Sequence, residues 1–146
     1  MALSFKYRKE IFENKARYFP KIPALLYNKG HSLQTVALLD SGATHIFIPR
    51  EISEALELGL KNPDMAESWL GKFKVWESSV GVVVGKSSQT FRKMLTCIVP
   101  DEKGEHEEVV FGRDFFRFFE ITFNESKRIT EMKQVTQINY KDLRIR

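Results

Sequence analysis

From Ile22 onward the apolar positions fall in short runs separated by turn-forming residues, a pattern that predicts strands rather than helices. Residues 22–27 and 33–39 read as two strands joined by Asn28-Lys29-Gly30. Asp40-Ser41-Gly42-Ala43 follows as a loop, and Ile46-Phe47-Ile48 as a short buried strand. Residues 73–84 and 90–99 predict two long strands around the polar turn Gly85-Lys86-Ser87-Ser88. The run Val80-Gly81-Val82-Val83-Val84 suits a sheet interior, because branched side chains pack well on a pleated surface. Val109-Val110-Phe111 predicts a buried strand ending at Gly112, and residues 121–123 and 128–132 a last hairpin across Asn124-Glu125-Ser126-Lys127.

Two short helices interrupt this pattern. Residues 50–58 carry an apolar face (Ile52, Ala55, Leu56, Leu58), with Pro49 placed to start the helix and Gly59 to stop it. Residues 113–119 follow Gly112 as the second. The expected class is mainly β, in one domain over residues 20–132. Residues 1–19 form an extension with weak helical spacing at Tyr7, Ile11 and Phe12, ahead of an extended stretch bracketed by Pro20 and Pro23. Residues 133–146 form a tail that is a candidate for one more strand, at a dimer interface.

Composition narrows the class without naming a chemistry. A chain of 146 residues, 42% hydrophobic and 29% charged, has the size and balance of one globular domain. Its 12 Phe fit either a Phe-filled core or apolar surface shared between subunits, and periodicity does not separate the two. The net charge of +4 comes from scattered bases interleaved with acids, such as Asp101-Glu102-Lys103 and Glu105-His106-Glu107-Glu108. That is a mixed solvated surface rather than a nucleic-acid stripe. The single cysteine, Cys97, lies in an apolar run and reads as a packed small side chain. With no apolar run of spanning length and a charged start, a cytoplasmic protein without membrane contact is expected. The glycosylation triplet Asn124-Glu125-Ser126 then has no consequence.

The chemistry-bearing feature is Asp40-Ser41-Gly42. Alone the triplet is weak, since Asp, Ser and Gly are ordinary β-turn residues. Its position between two apolar strands places a carboxylate at the end of buried elements. The block Val36-Ala37-Leu38-Leu39-Asp40-Ser41-Gly42-Ala43-Thr44 resembles the catalytic loop of the retroviral-type, or retropepsin-like, aspartic proteases. Val109-Val110-Phe111-Gly112-Arg113-Asp114 resembles the segment that ends the same domain, and the order and spacing of the two blocks agree.

The resemblance implies a retropepsin-like closed β-barrel, one half of an acid protease, assembling as a twofold homodimer. It implies an endopeptidase that needs no metal and no cofactor and cuts peptides or unfolded proteins. Asp40, Ser41 and Gly42 would be catalytic, and Ala43, Thr44 and His45 would contact substrate. A flap is implied as well, its tip expected near Trp69, Leu70 and Gly71, although this stretch carries less glycine than retroviral flaps. Arg113 and Asp114 would brace the loop; the acid that viral members place shortly after Gly-Ala is missing, because Thr44 and His45 stand there. No other aspartate precedes Ser-Gly or Thr-Gly, so a two-carboxylate site requires a second chain.

Three other readings stay open at this level. The first is a catalytically silent, dimeric peptide-binding module of the same fold. The second is a β-barrel that binds nucleic acid through Phe73, Lys74 and Trp76. The third, a metallohydrolase, has only 3 dispersed histidines and one cysteine to work with.

Overall fold

The computed structural model describes residues 2–68, 71–86, 89–104 and 107–135. Among the described residues twelve strands and two short helices form, in the order β1 (Ala2–Lys6), β2 (Arg8–Phe12), β3 (Lys15–Phe19), β4 (Lys21–Asn28), β5 (His31–Leu39), β6 (Ile46–Phe47), α1 (Arg50–Ala55), β7 (Lys61–Ser68), β8 (Gly71–Lys86), β9 (Gln89–Pro100), β10 (Val109–Phe111), α2 (Arg113–Phe116), β11 (Phe119–Asn124) and β12 (Ile129–Gln134). The main sheet runs β4-β5-β10-β6-β9-β8-β7. A further pairing of β4 with β8, Leu25↔Val83 to Tyr27↔Gly81, closes six of these strands into a barrel. β7 stays outside the closure as a hairpin arm on β8.

β8 serves both roles because it is 16 residues long. Its first half carries β7, and its second half, the valine-rich run, meets β4 on one edge and β9 on the other. Val80, Val82 and Val84 are fully enclosed there. Gly81 lets the Tyr27 ring lie against the β8 backbone, where an added Cβ would stand 2.2 Å from the ring. The barrel interior holds Ile22, Leu26, Ile46, Val99 and Phe111. Phe115 of α2 packs 4.7 Å from Phe111, 5.0 Å from Phe119 and 6.0 Å from Phe91, measured between ring centres. Much of the phenylalanine content is therefore core of this chain, whereas Phe12 is 64% exposed.

The first residues, whose fold the weak spacing of Tyr7, Ile11 and Phe12 did not fix, are strands. β1 pairs antiparallel with β12 and buries Leu3 and Phe5 in strict alternation. β2 and β3 form a hairpin whose turn residues Glu13 and Asn14 both take positive φ, as a two-residue turn of that twist requires. Helix α1 is shorter than expected and ends before Gly59. Glu57 supplies the left-handed residue (φ 52°), and the amides of Glu57 and Leu58 bond the carbonyls of Glu54 and Ser53. Asn28 Nδ2 donates to the remaining carbonyls of Leu56 and Glu57, so no glycine is needed at that stop. α2 covers only the first half of residues 113–119, and Phe119 already belongs to β11. In the tail, Lys133 and Gln134 complete β12; residues 136–146 lie outside the described residues.

Candidate active site

Asp40 sits where β5 ends, next to a parallel strand. β10 runs beside β5 in parallel (Val109↔Ala37 to Phe111↔Leu39), and the Asp40 amide extends that pairing to the Phe111 carbonyl at 3.1 Å. The chain then turns. The Ala43 amide donates to the Asp40 carbonyl at 3.2 Å, and the Gly42 amide to Asp40 Oδ1 at 2.8 Å, fixing one carboxylate oxygen by its own loop. A Cβ at Gly42 would stand 3.2 Å from that same oxygen. Ser41, Gly42 and Thr44 are exposed, while Asp40 and Ala43 are half-buried.

The Gly-Arg-Asp segment holds this loop by its backbone. Three successive amides at the start of α2 donate to the three carbonyls after Gly42: Arg113 to Ala43 (2.8 Å), Asp114 to Thr44 (2.9 Å) and Gly112 to His45 (3.1 Å). A helix start always leaves amides without partners inside the helix, and here the Asp40 loop supplies them. Gly112 is required sterically, since a Cβ there would lie 2.5 Å from the carbonyl oxygens of both Ala43 and His45.

Side chains add a second layer, with partners that sequence alone leaves unpaired. Arg113 Nη2 donates to Thr44 Oγ1 at 3.0 Å, and the Asp114 carboxylate pairs with His45 Nδ1 at 3.0 Å. The residues standing where an acid was expected, Thr44 and His45, are thus themselves the partners. Both His45 and Asp114 are substantially exposed, so their pair contributes at most about 1 kcal/mol.

Above the loop lies a cleft of about 1180 Å³, bounded by the Asp40 loop, the β7–β8 hairpin, β9 and the start of β10. Asp40, Gly42, Ala43, Thr44, His45 and Asp114 all reach it. The hairpin turns between Ser68 and Gly71, which pair across it, and Gly71 takes φ 120°. Trp69 and Leu70 lie outside the described residues. Phe73, Val75 and Ile98 give the cleft an apolar strip, and Asp64, Glu77, Glu107 and Glu108 an acidic one. Sequence reasoning missed most of this lining. Asp64 lies on β7, a polar segment with Pro63 that carries no strand signal of its own. β8 was expected as a strand from Phe73 onward, but its cleft face, Phe73, Val75 and Glu77, was not singled out.

Cys97 is fully buried between β6 and β8, and burial pushes its thiol up to about 12. It is packing, not chemistry.

No protein-family model matches the sequence, and no curated protein is similar to it. Solved structures are similar in shape. A retropepsin-like aspartic protease from Rickettsia conorii superposes with a TM-score of 0.56 at 17% identity, covering 94% of this chain and 95% of that one. EIAV protease complexed with the inhibitor HBY-793 gives a TM-score of 0.48 at 16% identity, over 68% of this chain and 86% of its own. With the six-stranded barrel, the β7–β8 hairpin and the match over nearly the whole length of both chains to the Rickettsia protein, the chain has the fold of the retropepsin-like aspartic proteases.

Proposed function

We propose that the protein is an aspartic endopeptidase whose active site forms between two copies of the chain, each contributing Asp40. The observation that carries this reading is the placement of Asp40: it follows β5 directly after the buried Leu39, one oxygen is held by the Gly42 amide, and it opens into a cleft bounded by the β7–β8 hairpin. One carboxylate cannot both activate water and polarise a peptide carbonyl. The chain holds a single Asp-Ser-Gly loop, and a twofold axis beside that loop supplies the second carboxylate without further residues. The exposure of Ser41 in the isolated chain leaves its hydroxyl available to the opposite loop.

Two carboxylates at such close range share one proton, because both cannot ionise comfortably together. The ionised Asp40 takes a proton from the water lying between them, and the water oxygen attacks the scissile carbonyl carbon. The protonated Asp40 of the partner subunit gives its proton to the carbonyl oxygen, producing a neutral tetrahedral diol. Proton transfer to the amide nitrogen then breaks the C–N bond, yielding a carboxylic acid and an amine. The hairpin would close over an extended substrate and exclude bulk water. A cytoplasmic site of action belongs to the same proposal, and cell fractionation tests it.

The direct test incubates the protein and its Asp40→Asn variant with an unfolded protein substrate from mildly acid to neutral pH, reading cleavage by mass spectrometry and subunit mass by sedimentation. Cleavage by the wild-type dimer alone is expected. A fully active Asp40→Asn variant, or an active monomer, would overturn the mechanism.

A further inference from the structure

The walls of the cleft have a charge character opposite to that of the chain. The protein carries 23 Lys and Arg against 19 Asp and Glu, yet among the described residues no Lys or Arg lines the cleft. The hairpin register explains part of this. Opposite residues of an antiparallel pair share a face, so Asp64 with Val75 and Ala66 with Phe73 look into the cleft, on the same face of β8 as Glu77. Lys72 and Lys74 alternate with them and point to the other face, where Lys74 lies over the Trp76 ring at 4.8 Å. On this hairpin Lys72 and Lys74 are therefore turned away from the face that carries Asp64 and Glu77.

The acids differ in how far they are compensated. Glu108 is held by Lys21, and Asp114 by His45. Among the described residues Glu77 accepts from the neutral Asn62 amide at 3.1 Å, and Asp64 from the Met65 backbone amide at 2.7 Å. Neither these two nor Glu107 has a cationic partner among the described residues. Asp64 and Glu77 stand on the hairpin, on the face that carries Phe73 and Val75, and Glu107 stands on the approach to β10. Partly enclosed charges of one sign focus the local field and bias which ligands enter.

We propose that the cleft selects peptides carrying lysine or arginine within a few residues of an apolar segment, with Asp64, Glu77 and Glu107 as the specificity-determining carboxylates. The inference rests on the cleft being the peptide site proposed above. Apolar side chains at the cut fill the strip of Phe73, Val75 and Ile98; the flanking base meets the carboxylates; acidic flanks are repelled.

Two measurements test it and keep its failure separate from that of the protease reading. Cleavage of a mixed peptide library is profiled for the wild type and for the Asp64→Asn, Glu77→Gln, Glu107→Gln triple variant. Lysine or arginine should be enriched near the cut by about tenfold, the combined size of two or three partly exposed ion pairs, and the enrichment should vanish in the variant. Cleavage with no preference for bases overturns the inference and leaves the protease standing. In parallel, the Asp40→Asn protein is titrated with two fluorescein-labelled ten-residue peptides that share an apolar centre and differ only in lysine or glutamate flanks. About tenfold tighter binding of the lysine peptide, weakening steeply with salt, supports the inference even if the wild type cuts nothing. Equal binding, or binding of neither, overturns it.

Discussion

Substituting Gly112 by alanine isolates the contact on which the Asp40 loop depends. Gly112 has φ −91°, a conformation that alanine adopts freely, so backbone strain is not at issue. The added Cβ would lie 2.5 Å from the carbonyl oxygens of Ala43 and His45 and 2.8 Å from the Ala43 carbonyl carbon, about 1 Å short of ordinary contact. Because the opposing atoms are backbone, no side chain can rotate away. Overpacking of this kind costs about 2 kcal/mol. Separating the two segments also stretches the three bonds from the amides of residues 112–114, and losing the equivalent of one adds about 1 kcal/mol. Gly112→Ala should therefore lower the unfolding free energy by about 3 kcal/mol, or the melting temperature by about 10 °C for a domain of this size. Gly30→Ala is the matched control, since nothing lies within 4 Å of a Cβ there. Reducing the freedom of the unfolded chain makes that change neutral or stabilising by up to about 1 kcal/mol. Urea unfolding of the three proteins at one concentration measures the difference. A Gly112→Ala protein as stable as wild type would refute the claim that this glycine is the fulcrum of the loop. Activity should fall further than stability, since the Asp40 amide hangs on the neighbouring Phe111 carbonyl.

Two other outcomes follow from the ionisable groups. Cys97, with its thiol pushed up to about 12 by burial, should react with iodoacetamide at mildly alkaline pH more than about a thousandfold slower in the native protein than in urea; comparable rates would contradict the packing of β9 between β6 and β8. Burial alone would lower the Lys21 ammonium, but Glu10 and Glu108 outweigh it and hold the pKa above its usual value. A raised folded-state pKa gives stability that is complete below the unfolded lysine value of about 10.4 and is lost as pH rises through the folded value. The deficit of Lys21→Met against wild type, about 1–2 kcal/mol near neutrality, should accordingly shrink as pH rises from about 9 to about 12, and a deficit independent of pH would show that the triad is not electrostatic.

How much of this was legible in the sequence depends on where each element gets its stability. β4, β5, β9 and β10 bury their own side chains, so their alternation and flanking turns announced them to within a residue or two. β7 buries almost nothing of its own; it is a strand because β8 offers it a ladder, and no local pattern records that. β1 was legible in principle, for Ala2-Leu3-Ser4-Phe5-Lys6 alternates perfectly, but its partner lies more than a hundred residues away and the spacing beyond it pointed elsewhere. Ile11 and Phe12, which suggested a helix face, are instead exposed on β2.

The candidate site divides along the same line. The Asp40 loop stood out in the sequence because it is marked by residue type: a carboxylate, a small hydroxyl and a glycine at the end of an apolar strand. Arg113 and Asp114 were named as its brace, but their partners were not, because those are set by register. Arg113 meets Thr44, and Asp114 meets His45, only because the amides of residues 113 and 114 are bonded to the carbonyls of 43 and 44, which fixes the two segments one residue against one residue. Gly112 sets that register by permitting the approach, so the side-chain pairs are consequences of a backbone contact rather than its cause. It follows that Thr44→Val or Asp114→Asn, each removing one exposed pair, should cost no more than about 1 kcal/mol, whereas the single methyl of Gly112→Ala should cost several times that. The reverse ranking would mean that the side chains hold the loop and the glycine merely fits between them.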